Sequence, residues 1–309
     1  MSVFTEVGHD QLETFLQQYQ VGTLKQYKGI SAGIENTNYF VDTDSDQFVL
    51  TLFEHQTIAE LEYCVGLMAT LADAGVPTAH PIAGNDGKFL RVLAGKPAAL
   101  VCRLQGKAVT DPTVAQCGEL GRVLAEFHLA GDRYPLSQPD LRGSDWLAVT
   151  GDKVTSKLPA DQAELLQAEL KQQLALDKAE LPQGVIHADL FRDNALFENG
   201  NLLGVIDLYA ACNDALLYDI AVCVNDWCTE ADGSVDPQRA QSLLSSYGQQ
   251  RTITDLERRM WPMMLRRAHF DSGSPACTTN TSPAPANSLA FSTPTSFYPY
   301  CVTASNTLS

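Results

Sequence analysis

Basic residues are scarce in this chain of 309 residues, which has 21 lysines and arginines against 37 aspartates and glutamates. The resulting formal net charge of -16 repels nucleic-acid phosphates and anionic lipids. An anionic ligand would therefore need local compensation from backbone amides or a metal ion. We expect no nucleic-acid partner and no membrane partner.

Long apolar runs and paired cysteines are also missing from the sequence. No run reaches the about eighteen apolar residues of a transmembrane helix, and the first residues lack the basic and apolar regions of a signal peptide. The eight cysteines include no C-x-x-C pair, which argues against a zinc site or a redox dithiol. These absences predict a cytoplasmic protein with reduced, mostly buried thiols.

The first hundred residues have the periodicity of strands with one long helix among them. An amphipathic helix is predicted over residues 9–20. A longer helix begins near Ile58 and ends before Gly75 and Pro77, because apolar residues recur there at three- and four-residue steps. Five short runs between turn-forming residues are predicted as strands: 23–30, 38–42, 47–53, 88–93 and 97–102.

From residue 111 onward the pattern becomes mainly helical. Another helix is predicted over residues 160–178, and short apolar strands at 184–186 and 202–206 interrupt the helices. The first apolar stripe of this part consists of Val114, Cys117, Leu120, Leu124 and Phe127. We predict a small lobe over residues 1–102, a connector over 103–110 and a larger lobe over 111–266.

The last segment, residues 267–309, departs from the rest of the chain. Beyond Arg267 its only acidic or basic residues are His269 and Asp271, and Ser, Thr, Pro, Ala and Asn crowd it without apolar periodicity. We expect no native helix there. The segment is either disordered or the product of a shifted reading frame, and the interruption of a helix that begins near Thr254 favours the second explanation.

The chemistry is concentrated in the motif H-x-D-x-x-x-x-N, formed by His187, Asp189 and Asn194 after a short predicted strand. In phosphoryl transfer, such an aspartate orients the attacking hydroxyl and accepts its proton, while the asparagine holds a metal ion. Asp207 ends the next predicted strand and offers a second oxygen ligand. Each residue alone could be a turn or strand cap. Together they predict a kinase site in which Asp189 is catalytic and Asn194 and Asp207 bind Mg²⁺ beside ATP.

These stretches, VIHADLFRDNALF at 185–197 and GVIDLYAACNDALLYD at 204–219, resemble the homoserine kinases of the aminoglycoside-phosphotransferase family. The resemblance reaches to about Arg266 and fails in the last segment. It implies an α+β, two-lobed protein-kinase-like fold, with a small antiparallel-sheet lobe that carries one long helix and a larger mainly helical lobe. It also implies ATP and Mg²⁺ as cofactors and the hydroxyl of homoserine as the phosphate acceptor.

The same resemblance assigns nucleotide contacts to the first lobe. The turn at 29–33 matches the family's phosphate-covering hairpin, in which glycines let backbone amides approach the phosphates. Taken alone, this turn would be an ordinary hairpin. The resemblance also implies that backbone groups of the connector contact adenine. The predicted nucleotide-binding residues are Gly29, Ser31, Ala32, Gly33, Val101 and Arg103.

Two residues are predicted to support the catalytic loop and one to bind substrate. His187 would lock the loop through hydrogen bonds, and the resemblance implies that Asp219 braces it from the start of a helix. His128 is expected to be a core histidine whose nitrogens are both satisfied. Arg192 is the first candidate for the carboxylate of an amino-acid substrate, although a surface ion pair is the alternative.

Thr51 departs from the protein-kinase pattern, because it stands where those enzymes carry a strand lysine that contacts the phosphates. The resemblance implies that threonine at this position is a variation within the family and not the loss of the site. Glu60 and Glu62 are both candidates for an acidic partner on the long helix. Two other functions stay open, a kinase for another small amino alcohol or hydroxylated amino acid, and a nucleotide-binding protein without turnover.

Overall fold

A five-stranded antiparallel sheet, in the order β1-β2-β3-β5-β4, forms the first part of the fold. The computed structural model describes residues 3–31, 35–141, 143–176 and 178–272. The first elements are α1 (His9–Leu16), β1 (Leu24–Gly29), β2 (Thr37–Thr43), β3 (Gln47–Leu52), α2 (Ile58–Asp73), β4 (Leu90–Leu93) and β5 (Lys96–Cys102).

The two faces of this sheet pack against different helices because side chains alternate along each strand. Val41, Leu50 and Leu100 lie in one buried cluster with Leu12 of α1. On the other face, Ala99 packs with Leu61 of α2. A capping box closes the start of α2, where Thr57 and Glu60 exchange hydrogen bonds. The predicted long helix is therefore confirmed.

The second part of the fold is mainly helical and contains two short two-stranded sheets, β6 with β9 and β7 with β8. The catalytic motif lies between β6 and β7, so these sheets fix both of its ends. The elements are α3 (Val114–Gly131), α4 (Ser144–Thr155), α5 (Ala160–Leu174), β6 (Gln183–Ile186), β7 (Ala195–Glu198), β8 (Asn201–Val205), β9 (Cys212–Ala215), α6 (Leu216–Trp227), α7 (Pro237–Gln250) and α8 (Asp255–Ser272).

The last helix continues past Arg266, the predicted end of the large lobe. Helix α8 extends to Ser272, and Arg267 and Ala268 are buried. The expectation of no helix beyond Arg267 is therefore wrong for these first residues, because Ala268 continues the apolar face of α8 into the core. Residues 273–309 lie outside the described residues, so both explanations of the last segment stay predictions.

Gly121 lies where the backbones of α3 and α7 come closest. A Cβ atom on Gly121 would lie 2.2 Å from the carbonyl oxygen of Leu243. Because backbone cannot move aside like a flexible side chain, Gly121→Ala should lower the free energy of unfolding by about 1–3 kcal/mol in a urea titration. The matched change Gly248→Ala, whose Cβ would meet no atom within 4 Å, should instead raise it by up to about 1 kcal/mol. Equal effects of the two changes would contradict the close contact.

Candidate active site

His187 anchors the start of the catalytic loop, residues 187–194, to the end of β8. Its ring is fully buried, and Nε2 lies 3.0 Å from the carbonyl oxygen of Ile206. Since a carbonyl oxygen can only accept, Nε2 carries the proton, and Nδ1 accepts the backbone N–H of Asp189 at 3.2 Å. Both nitrogens of His187 are thus used to hold the loop, as a supporting residue requires.

Asn194 lies against Asp189 across the same loop. The Nδ2 group of Asn194 donates to the backbone carbonyl of Asp189 at 2.8 Å and to its carboxylate Oδ2 at 3.1 Å. Because the amide nitrogen faces Asp189, the Oδ1 atom of Asn194 is the end of the side chain that can coordinate a cation. The spacing of five residues therefore brings a carboxylate and an amide oxygen together.

Asp207 joins this group through the neighbouring Ile206, whose backbone N–H donates to the Asn194 carbonyl at 3.0 Å. The backbone of Asp207 is left-handed (φ 63°, ψ 55°), a conformation that aspartate tolerates better than most residues. The structure thus joins Asp189 to Asn194 by a hydrogen bond and attaches the backbone next to Asp207 to the same loop. Asp193, the residue before Asn194 in the catalytic loop, is exposed.

The surroundings of Asp207 shift the pKa of its carboxyl group. The carboxyl group reaches solvent, but the protein atoms around it raise its pKa above the ordinary value. The negative charges of Glu35 and Asp193 add to this rise in pKa. Two carboxylates and an amide oxygen form the donor set that hard divalent cations prefer, so these residues fit a metal such as Mg²⁺.

Asp219 lies beneath the loop and is fully buried. Its carboxylate accepts the backbone N–H groups of His187 at 2.7 Å and Ala188 at 2.8 Å, and it contacts Nε2 of His128 at 3.0 Å. Burial alone would raise the pKa of Asp219, but these hydrogen bonds outweigh it and hold the pKa below its ordinary value. Asp219 is therefore an ionised anchor for the loop.

The phosphate-covering hairpin is described only in part, since Ala32 and Gly33 lie outside the described residues. Gly29 ends β1, and a Cβ atom there would lie 2.7 Å from Cγ2 of Val3. A side chain at Gly29 would therefore have to displace the side chain of Val3. Ser31 is exposed at the start of the turn. The phosphate contacts of these four residues stay predictions.

The connector offers fewer backbone groups to adenine than the sequence suggests. Val101 pairs with Val49 in the sheet, and Arg103 donates its N–H to the Gln47 carbonyl at 3.0 Å. The guanidinium of Arg103 lies 4.1 Å from the ring centroid of Phe40. The amide of Arg103 is therefore already used, and adenine contacts by Val101 and Arg103 stay predictions.

Thr51 forms a polar link that sequence reasoning missed. It is buried, donates to Oδ1 of Asn38 at 2.7 Å and lies beside Tyr209, two residues after Asp207. The ring of Tyr209 also packs edge-on against Phe53, with centroids 4.9 Å apart. Where a protein kinase has a lysine, this chain thus ties β3 to the segment that carries Asp207.

The two acidic candidates on α2 are both exposed, and Glu60 is already engaged. Its carboxylate accepts the N–H and the hydroxyl of Thr57 at 2.7 and 2.8 Å at the start of the helix. No feature of Glu62 marks it as a nucleotide ligand among the described residues.

Arg192 contacts α6 and the connector. It contacts Asp226 through its backbone N–H at 2.7 Å and through its guanidinium at 3.3 and 3.4 Å, and it donates to the Thr110 carbonyl at 2.9 Å. These bonds match the ion-pair alternative for Arg192, and contact with a substrate carboxylate stays a prediction.

Comparisons with known proteins agree with this geometry. The sequence profile of the phosphotransferase enzyme family matches residues 26–257. This chain belongs to the phosphotransferase enzyme family. It is 46% identical over 268 residues to a homoserine kinase of Methylobacillus flagellatus, covering 87% of this chain and 84% of the relative. It is 42% identical over 270 residues to a homoserine kinase of Pseudomonas aeruginosa, covering 87% and 85%.

Solved structures of other kinases and phosphotransferases have the same fold at much lower identity. An amicoumacin kinase in complex with AMP-PNP, Ca²⁺ and Ami superimposes with a TM-score of 0.67 at 16% identity, covering 89% of each chain. A spectinomycin phosphotransferase in complex with ADP and spectinomycin gives a TM-score of 0.62 at 13% identity, covering 87% of this chain and 89% of the other. The predicted two-lobed, protein-kinase-like α+β fold of this phosphotransferase is confirmed. Among its described helices, none is long and apolar enough to cross a membrane.

Proposed function

We propose that this protein transfers the γ-phosphate of ATP to the hydroxyl of L-homoserine and so forms O-phospho-L-homoserine on the route to threonine. One observation carries the proposal: relatives named homoserine kinase are 42–46% identical to this chain and span most of its length. The loop geometry supports it, since Asn194 holds the carboxylate of Asp189 and the backbone of Ile206, the residue before Asp207, bonds to the same loop.

In the proposed mechanism, Asp189 receives the proton of the acceptor hydroxyl while that oxygen attacks phosphorus in line with the leaving group. The amide of Asn194 holds the carboxylate of Asp189 in place at 3.1 Å. Asn194 and Asp207 would hold Mg²⁺, which when bound neutralises charge on the phosphates. His187 and Asp219 keep the loop in position, and no covalent enzyme intermediate is required.

Two observations support the cofactors and the compartment that we propose. The solved relatives were crystallised with AMP-PNP and Ca²⁺ or with ADP, which supports a nucleotide and a divalent cation here. All six cysteines of the described residues are free thiols, as expected in the reducing cytoplasm. We propose ATP, Mg²⁺ and homoserine as ligands of a cytoplasmic enzyme.

The replacement of the strand lysine by Thr51 favours a second candidate, a nucleotide-binding protein without turnover. A neutral hydroxyl attracts phosphate less than an ammonium group does. This candidate predicts Mg²⁺-dependent ATP binding without product from any acceptor.

The deciding experiment measures ADP release by the full chain with ATP, Mg²⁺ and a panel of acceptors. We expect release to depend on L-homoserine and to exceed that with L-serine, L-threonine, choline or ethanolamine, and ³¹P NMR should detect the phosphate ester. Chelation of the metal by EDTA should abolish turnover. A stronger response to another acceptor would replace homoserine in the proposal, and ATP binding without any product would favour the second candidate.

A further inference from the structure

A chain of hydrogen bonds, here called the buried relay, runs from the start of α8 to the catalytic loop. Its members are Glu257, Arg251, Tyr247, His128 and Asp219. The carboxylate of Glu257 lies 2.8 Å from Nη2 of Arg251, and Nη1 of Arg251 donates to the Tyr247 hydroxyl at 3.2 Å. The Tyr247 hydroxyl lies 2.7 Å from Nδ1 of His128, whose Nε2 lies 3.0 Å from Asp219. The relay therefore connects α8, α7, α3 and α6.

The relay is shielded from solvent along almost its whole length. His128 is 1% exposed, and Tyr247, Asp219 and Glu257 are 0% exposed. The side chain of Arg251 is 12% exposed. A polar group buried to this degree is destabilising unless it is hydrogen-bonded, so each member depends on its neighbours. His128 has both nitrogens satisfied, as the sequence predicts for a core histidine.

Arg251 sets the direction in which the relay donates. Because a guanidinium can only donate, the oxygen of Tyr247 accepts from Arg251 and the hydroxyl proton is directed to Nδ1 of His128. His128 then carries its own proton on Nε2 and donates it to Asp219. The carboxylate of Asp219 is thereby held against the N–H groups of the loop.

The loop needs this anchor because of its backbone at Ala188. This residue has φ 65°, which is uncommon outside glycine, asparagine and aspartate. Its N–H is held by Oδ1 of Asp219 at 2.8 Å, and the next residue is Asp189. A change in the orientation of Asp219 would therefore move Asp189 directly.

We propose that Tyr247 and Arg251 are positioning residues that fix the geometry of Asp189 through His128 and Asp219. The kinetic part of this inference rests on the proposed function. Neither residue touches the reacting atoms, so their substitution should change turnover while nucleotide binding stays intact.

The kinetic test compares two substitutions in the relay with one beside it. Tyr247→Phe and Arg251→Met should each lower kcat about 10- to 100-fold, the size expected for a small misplacement of a catalytic group, with little change in KM for ATP. Arg251→Lys can still donate to Tyr247 and pair with Glu257, so it should recover most of the lost kcat. The control Leu244→Ala removes a buried side chain from α7 outside the relay and should leave kcat unchanged.

The second measurement does not depend on catalysis. Hydrogen–deuterium exchange of the peptide that covers residues 184–191 should become faster in Tyr247→Phe and stay unchanged in Leu244→Ala. The positioning role would be overturned if Tyr247→Phe changed neither the exchange rate of this peptide nor kcat. It would also be overturned if Leu244→Ala changed both quantities as much as Tyr247→Phe does. If the wild-type protein turned over no acceptor, the proposed function would fail while the exchange measurement still decided the role of the relay.

Discussion

Asp189→Asn is expected to lower kcat by about 10³-fold or more while the affinity for ATP stays nearly intact. The asparagine keeps the size of the side chain but cannot accept a proton, and general-base catalysis contributes typically 10²–10⁴-fold to such reactions. The metal and nucleotide would be held by Asn194 and Asp207, which are unchanged. Steady-state kinetics for kcat and equilibrium titration with ATP measure the two quantities separately.

The control for this substitution is Asp152→Asn, the same chemical change on an exposed residue of α4. It should alter neither kcat nor ATP affinity. Loss of ATP affinity with normal turnover in Asp189→Asn would refute its role as the base, because it would make Asp189 a nucleotide ligand. An equal loss of kcat in Asp189→Asn and Asp152→Asn would indicate a general effect of the removed negative charge.

Asp219→Ala is expected to have the largest effect on stability. The substitution strands three buried donors, the N–H groups of His187 and Ala188 and Nε2 of His128. An unsatisfied buried donor costs about 1–3 kcal/mol. We expect a loss of about 3–5 kcal/mol in the free energy of unfolding, because three such donors are left without their acceptor. Urea denaturation at neutral pH measures it.

The loss of stability caused by Asp219→Ala should depend on pH in a direction set by the pKa of Asp219. The pKa of Asp219 in the folded protein lies below its ordinary value of 3.8, so the ionised carboxylate contributes its full stabilisation above that pH. The contribution is lost as the pH falls through the lower pKa of the folded state. The difference between wild type and Asp219→Ala should therefore be constant from neutral pH to about pH 5 and shrink on further acidification. A difference that grew on acidification would show that Asp219 is not held as a carboxylate.

The centre of the site could be predicted because its residues are close in sequence. Asp189 and Asn194 lie within one loop and hydrogen-bond to each other, and Asp207 follows Ile206, which bonds to that loop, so spacing and apolar flanks predicted this arrangement. The roles of these residues in catalysis and metal binding stay predictions. The long helix α2 was equally accessible, since its apolar face and its end at Gly75 are local features. In these regions the local sequence pattern alone predicts the structure that the chain adopts.

The partners of the site could not be predicted because they are brought together only by the fold. Tyr247 is 119 residues from His128, and Asp219 is 91 residues from it. Such contacts leave no periodic pattern in the sequence. Helix α7 was missed for a related reason, because its four buried residues stand among many polar ones: Ala240, Leu243, Leu244 and Tyr247.

The position of Arg192 has a consequence for motion between the two parts of the molecule. Its 2.9 Å bond to the Thr110 carbonyl ties the last residue of the predicted connector to the catalytic loop, and its ion pair with Asp226 ties the same loop to α6. The connector is also bridged to β7 through Lys107 and Phe197, so its second half moves with the large lobe. A rotation of the first lobe would then turn about the residues before Lys107 and leave the catalytic loop in place.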